Sequence, residues 1–121
     1  MKITLYGDPK TKKNSQRIVY VGGHPKIRPS KAYEEYEAAC LWQLKHGDMI
    51  SGRVNLACRF FMKTRRRVDL ANLIEAVQDI LVKGLVLEDD SREIIVSLDG
   101  CRVEIDRNNP RVEIEITEAE E

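Results

Sequence analysis

The feature that most constrains the fold of this chain is a helical segment that follows three consecutive arginines, within residues 65–90. At about 100° per residue, the apolar residues of this segment share one continuous arc that is wide enough to dock on a sheet. The arc consists of Leu70, Leu73, Ile74, Val77, Ile80 and Leu81. The segment is therefore predicted to form an amphipathic helix that covers one face of a β-sheet.

A second arc of the same helix carries oxygen-bearing side chains. At spacings of three and four residues, which make helix side chains neighbours, it presents Asp69, Asn72, Glu75 and Asp79, with Ala76 among them. No basic residue follows Asp69 until Lys83, so these carboxylates lack the interleaved lysines of an ordinary solvated face. Like charges at such spacings cost roughly a few tenths of a kcal/mol per pair unless a cation neutralises them. The pattern favours a divalent metal site, and a solvated helix face is the simpler alternative.

Length and hydropathy place limits on the organisation of the chain. Its 121 residues suffice for one domain with a real core and leave no room for a second, so a single domain over 1–121 is expected. No apolar run approaches about 18 residues and no signal-peptide pattern is present, so a soluble cytoplasmic protein that does not enter membranes is expected. Cys40, Cys58 and Cys101 lie in apolar patterns without metal-ligand spacing and are expected to be reduced core residues.

The net charge of zero hides a strong asymmetry between the two halves of the chain. Residues 1–67 contain 15 lysines and arginines against 5 acidic residues, and residues 68–121 contain 5 against 15. Such blocks indicate a basic surface for nucleic acid joined to an acidic catalytic or self-associating surface, although neutralisation within one molecule also explains them. The basic residues expected to contact phosphate are Lys10, Lys12, Lys13, Arg17, Lys26, Arg28, Arg65, Arg66 and Arg67.

The remaining segments predict an α+β domain with two main helices and a mixed, largely antiparallel sheet. Alternating apolar residues and β-branched or aromatic runs predict strands at 1–7, 17–21, 54–62 and 111–117. Ser30 is a candidate N-cap of the first helix, and Trp42 and the tyrosines of that helix are interpreted as packing residues. The pair Asp99-Gly100 stands between two further apolar segments and is typical of the two-residue turn of a β-hairpin.

From residue 65 to residue 90, the chain resembles the RusA family of Holliday-junction resolvases, small homodimeric endonucleases common in phages and prophages. The shared features are a basic stretch, Asp69 and Asn72 at the start of a helix, and Asp79 further along it. An acidic pair, Asp89-Asp90, follows about twenty residues downstream of Asp69. The resemblance implies a RusA-like fold, a two-fold homodimer, and Mg²⁺-dependent hydrolysis of phosphodiesters in branched DNA such as a four-way junction, with Mn²⁺ as a substitute ion.

Two positions depart from the family's pattern. The family's usual motif is Asp-x-Asp-Asn, and its second aspartate falls here on Ala71. The family also commonly has a catalytic lysine on this helix, at the position of Glu75. Because helical side chains lean toward the N-terminus, the Glu75 carboxylate is expected to take the space beside Ala71. A basic residue from elsewhere would then replace the lysine, and the candidates are Lys12, Lys13, Arg67 and Lys83.

The resemblance and the acidic arc together give a predicted catalytic site. In this site, Asp69 and Asp90 hold Mg²⁺. Glu75 and Asp79 either complete its set of ligands or bind a second ion, and Asn72 orients a water or ligand. Each assignment has a structural alternative. Asp69 is well placed as a helix N-cap, Asp79 as a partner of Lys83, and Asp90 as part of a turn.

Two rival functions stay open at the level of sequence. One is a degenerate family member that binds branched DNA without cutting it, because Ala71 and Glu75 replace the aspartate and the lysine of the family's catalytic site. The other is a protein unrelated to DNA, whose opposite charge blocks pair two chains into a structural dimer or hold a protein partner. Metal-dependent nicking of a junction separates the nuclease from both rivals.

Overall fold

The computed structural model describes residues 1–12, 16–44, 47 and 49–119. Within them the chain forms seven strands and two helices, which confirms the predicted α+β class. In chain order these are β1 Lys2–Tyr6, β2 Gln16–Val21, β3 His24–Pro29, α1 Lys31–Gln43, β4 Val54–Met62, α2 Leu70–Lys83, β5 Ile95–Ser97, β6 Arg102–Ile105 and β7 Arg111–Glu118.

A five-stranded mixed sheet forms the centre of the fold. β7 pairs antiparallel with β1 on one side and with β4 on the other. The far edge of β4 pairs with β5 and β6, both of which run parallel to it. Every second residue of β4 is buried, as expected for a strand with one covered face. The sheet is therefore mixed and largely antiparallel, as the sequence predicts.

The hairpin predicted at Asp99-Gly100 is wrong. β5 and β6 do not pair with each other but follow one another along the same edge of β4. The Asn55 side chain explains this arrangement, because its Oδ1 accepts the N–H of Asp99 at 2.9 Å and its Nδ2 donates to the Asp99 carbonyl at 3.1 Å. With Gly100 at a φ of 95°, the Asp-Gly pair makes a bend within an interrupted edge strand.

The predicted apolar arc of α2 is confirmed as part of the core. The buried residues of this helix are Leu73, Ile74, Ala76, Val77, Ile80 and Leu81, and Leu70 packs beside them. Because residues three and four apart share one face of a helix, this arc meets the sheet as a continuous apolar surface. No helix in the described part of the chain is long and apolar enough to span a membrane.

The first helix confirms one prediction and corrects another. Ser30 is its N-cap, since its Oγ accepts the N–H of Tyr33 at 3.1 Å. Tyr33, Tyr36 and Cys40 are buried, but Trp42 is 90% exposed and does not pack in the core. Trp42 stands two residues after Cys40, which places it on the opposite side of the helix, at about 200°. Its apolar character alone does not reveal this.

β2 and β3 form a separate two-stranded antiparallel sheet, here called the hairpin, residues 16–29. Its turn is the Gly22-Gly23 pair, where both residues adopt positive φ, 59° and 80°. Two successive positive φ values are what a tight hairpin turn requires, and glycine adopts them without steric cost. The hairpin immediately precedes α1 and is not paired with the main sheet.

Candidate active site

One face of α2 carries the acidic row, defined as Asp69, Asn72, Glu75 and Asp79. Asp69 is exposed and the other three side chains are half-buried. Asp69 occupies the N-cap position with extended backbone, yet its side chain makes no capping hydrogen bond. Its Oδ2 instead accepts a hydrogen bond from Asn72 Nδ2 at 3.3 Å. The structure therefore does not support the capping alternative for this carboxylate.

A lysine from the loop after β1 reaches the acidic row. Lys12 Nζ lies 3.2 Å from Asp79 Oδ2. Lys83, the alternative partner of Asp79 on the same helix, instead donates to Glu37 Oε1 on α1 at 2.9 Å. Lys12, one of the basic residues considered as replacements for the family lysine, thus contacts the row, while Lys13, another of them, lies outside the described residues.

Asp8, in the loop after β1, binds Arg66 in the segment before α2. Its Oδ2 accepts from Arg66 Nη1 at 2.7 Å, and its Oδ1 accepts the N–H of Lys63 at 3.0 Å. Arg66 also donates to the Pro9 carbonyl, and Lys10 Nζ lies 3.6 Å from Asp8 Oδ2. These contacts hold the first loop, the end of β4 and the entry to α2 as one unit. The sequence reasoning missed Asp8, because no local pattern connects residues 58 positions apart.

Arg17 and Arg28, which are predicted to contact phosphate, both bind Glu34 in the first turn of α1. Arg17 Nη2 lies 2.8 Å from Glu34 Oε1, and Arg28 Nη2 lies 3.0 Å from Glu34 Oε2. The hydrogen bond from Arg17, with the charge of Arg28, lowers the pKa of the Glu34 carboxyl below its ordinary value. A guanidinium has five N–H donors, so each arginine keeps further donors when it binds one carboxylate. Both therefore anchor the hairpin and remain able to contact phosphate.

The other predicted phosphate contacts lie on accessible parts of the surface. Arg65 and Arg67 are exposed in the segment that connects β4 to α2. Lys26 is exposed on the hairpin, on the same face as Arg17 and Arg28 because strand residues alternate between faces. The structure therefore places basic residues at the entry to the acidic row and on the hairpin.

The acidic pair Asp89-Asp90 lies beyond the other end of α2 from Asp69. The helix has 14 residues and is about 21 Å long. Five residues after Asp90, Ile95 pairs with Val54, the first residue of β4, whereas Asp69 follows the last residue of that strand. The Asp90 N–H donates to Asp89 Oδ1 at 2.9 Å, so Asp89 takes part in a local turn. In the chain, Asp69 and Asp90 therefore flank α2: Asp69 is its N-cap and Asp90 comes seven residues after its last residue, Lys83.

The structure does not assemble the expected metal ligands into one group. Among the described residues, no three or more His, Cys, Asp or Glu side chains are arranged to hold a metal ion. The row itself offers the carboxylate and amide oxygens that Mg²⁺ accepts alongside phosphate oxygens and water. The ligand assignment stays a prediction.

The fold and the site define a small α+β domain in which cationic loops border an oxygen-lined helix. This combination attracts a polyanion and presents carboxylates to it. A family model described as Endodeoxyribonuclease RusA matches residues 7–117, and the chain belongs to this family. Membership confirms the resemblance seen in the sequence and implies a Holliday-junction-resolving endonuclease. No curated protein matches the chain closely enough to serve as a named relative.

Proposed function

We propose that this protein is a Mg²⁺-dependent endonuclease that cuts branched DNA, with the four-way junction of recombination and repair as its substrate. The observation that carries the proposal is the contact of Lys12 with Asp79 of the acidic row, on the helix whose N-cap residue, Asp69, has a carboxylate that makes no capping hydrogen bond. Membership of the RusA family supports the same activity.

DNA binding is the role of the basic segments around the row. Arg65 and Arg67 are exposed at the entry to α2, where they attract phosphates by charge and with little sequence readout. Arg66 is held by Asp8 and keeps this segment next to the first loop. A strand drawn to these residues is delivered to the start of the acidic row.

Hydrolysis is the role of the row. Asp69 and Glu75 supply carboxylate oxygens for Mg²⁺, and Asn72 orients the Asp69 carboxylate through its hydrogen bond. When bound, the ion lowers the pKa of the attacking water and offsets charge on the leaving oxygen. Lys12 holds a positive charge beside Asp79, where it stabilises negative charge that accumulates on the phosphate.

A two-fold dimer gives Asp90 a role in this site. Symmetrical cutting of a four-way junction needs two active sites, which a dimer supplies. Because Asp90 lies past the far end of α2 from Asp69, we propose that Asp90 of one copy completes the acidic row of the other. Such an arrangement couples catalysis to the assembly that recognises the junction.

Mixing two inactive variants tests the shared site. Asp69→Asn and Asp90→Asn are each expected to abolish nicking of a four-way junction. In a mixed dimer, a site built from both copies is intact once, so nicking in one strand returns, whereas sites built within single chains stay inactive. Asp99→Asn is the matched control and keeps activity, since the recorded contacts of Asp99 with Asn55 use its backbone.

Binding without cutting is the second candidate function. The substitution of the family's second aspartate by Ala71 and of its lysine by Glu75 favours it. This candidate predicts retardation of junction DNA with no metal-dependent nicks, and Asp90→Asn would then leave behaviour unchanged. A dimer unrelated to DNA predicts neither retardation nor nicking, and an association that weakens with salt.

A further inference from the structure

The hairpin has an apolar face that is exposed within the described part of the chain. Ile18, Tyr20 and Ile27 are 66%, 74% and 71% exposed. Ile18 is opposite Ile27 in the strand register and Tyr20 is opposite Pro25, so these side chains share one face. An isolated two-stranded hairpin is marginally stable in water, so a partner that covers this face would stabilise it.

Charge indicates which partner this hairpin fits. Arg17, Lys26 and Arg28 lie on its other face, and no acidic residue occurs between Gln16 and Ala32. The hairpin is therefore cationic as well as apolar, which is complementary to a polyanion that also exposes apolar surface. Nucleic acid bases that have lost their stacking partners present such a surface next to phosphates.

The size of the face argues against a second copy of the chain as its partner. Strands of six residues are about 20 Å long, and two of them are about 10 Å wide, which gives a face of roughly 200 Å². Each partner in a stable protein interface contributes about 800 Å². The apolar face alone is too small for such an interface, whereas a few side chains suffice for a wedge between bases.

We propose that the apolar face of the hairpin inserts at the branch point of DNA, where Ile18, Tyr20 and Ile27 pack against unstacked bases. This role rests on the proposed function, because an intact linear duplex offers no unstacked bases. The basic face contacts the flanking phosphates, and the ion pairs of Arg17 and Arg28 with Glu34 fix the hairpin to α1. The hairpin thereby selects branched over linear DNA.

The test uses the full chain without Mg²⁺ and a four-way junction that carries 2-aminopurine at the branch point. The variant Tyr20→Thr/Ile27→Thr removes the apolar face and retains strand propensity, because threonine is β-branched. The control is Trp42→Thr, which removes a side chain that is 90% exposed on α1 instead. Affinity for a linear duplex and the circular dichroism spectrum report whether each variant is folded.

The wild-type chain is expected to raise the 2-aminopurine fluorescence and to prefer the junction over the duplex. The hairpin variant is expected to lose the fluorescence change and to prefer the junction over the duplex about tenfold less, with its affinity for the duplex unchanged. The control is expected to retain the fluorescence change and the preference. Retention of both by the hairpin variant would overturn the proposal. So would conversion of a dimer to monomers by that variant in sedimentation, since a second copy would then cover the face. A wild-type chain that shows no junction preference would instead overturn the proposed function as well.

Discussion

Lys12 Nζ lies 3.2 Å from Asp79 Oδ2, although the two residues are 67 positions apart in the sequence. The contact brings a cation from the first loop onto the acidic row of α2. Lys83, four residues after Asp79 on the same helix, pairs with Glu37 instead. The lysine that pairs with Asp79 is therefore supplied by tertiary structure and not by the helix.

Replacement of Lys12 by methionine is expected to slow nicking by at least about tenfold when the junction is saturated with protein, because charge on the phosphate loses its stabilising cation. The pair is partly exposed, so its loss costs at most about 1 kcal/mol of folding stability. Single-turnover nicking measures the rate. Lys31→Met is the control, since Lys31 is exposed at the start of α1 and is not among the residues expected to contact phosphate. Equal rates in the two variants would contradict the assignment.

Gly84→Ala is expected to destabilise the fold by about 1 kcal/mol, because the added Cβ would displace Leu44 Cδ1, the end of a flexible side chain, and would lie 3.1 Å from the Ile80 carbonyl oxygen. The backbone φ of −80° suits alanine, so crowding and not backbone strain is the cause. Urea denaturation measures the free energy of unfolding. Truncation of the neighbour in Gly84→Ala/Leu44→Ala should cost less than the sum of the two single changes. Strict additivity would show that the two residues do not crowd each other.

Cys101 is expected to be the first of the three thiols to be alkylated at neutral pH. The hydrogen bond from the Cys58 thiol lowers the pKa of Cys101 to about 6, and Cys101 is half-buried while Cys40 and Cys58 are buried. Since the thiolate is the nucleophile, iodoacetamide labelling followed by peptide mass spectrometry should rank Cys101 first. Cys58→Ala should move the midpoint of its pH profile upward. An unchanged midpoint would show that the hydrogen bond from Cys58 does not lower the pKa of Cys101.

The attachment of the hairpin to α1 is expected to weaken in acid. The folded-state pKa of Glu34 lies below its unfolded value, so its ion pairs contribute fully above the ordinary glutamate pKa and are lost as pH falls through the lowered value. Heteronuclear NOEs of amides 16–29 should therefore decrease in that range, and Glu34→Gln should decrease them at neutral pH. Glu35→Gln, one position along the helix and exposed, is the control and should change neither.

Sequence patterns predicted the structural features that depend on residues close together in the chain. The apolar arc of α2 and the cap at Ser30 follow from side chains three and four residues apart, and both are confirmed. Contacts between distant segments left no such signal, which is why the pairing of Asp8 with Arg66 was missed. The exposure of Trp42 was missed for a related reason, since residue type does not reveal which side of a helix faces the sheet.

The edge of the sheet shows why topology is harder to predict than secondary structure. Asp99-Gly100 carries the sequence of a hairpin turn, but the side chain of Asn55, on a strand 44 positions away, binds the backbone of Asp99. Parallel pairing with β4 then prevails over local hairpin formation. The candidate site shows the same limit. The acidic row was predicted from helix periodicity, whereas the position of Asp90 relative to Asp69 depends on the path of the chain after α2.

The central claim is that the acidic row cuts branched DNA. Its most direct test incubates the purified full chain with an end-labelled four-way junction, with and without Mg²⁺, beside Asp69→Asn and the control Asp99→Asn. The proposed function predicts paired nicks that require the metal, disappear in Asp69→Asn and persist in Asp99→Asn. A junction that is bound but never cut, or nicks that persist in Asp69→Asn, would contradict it.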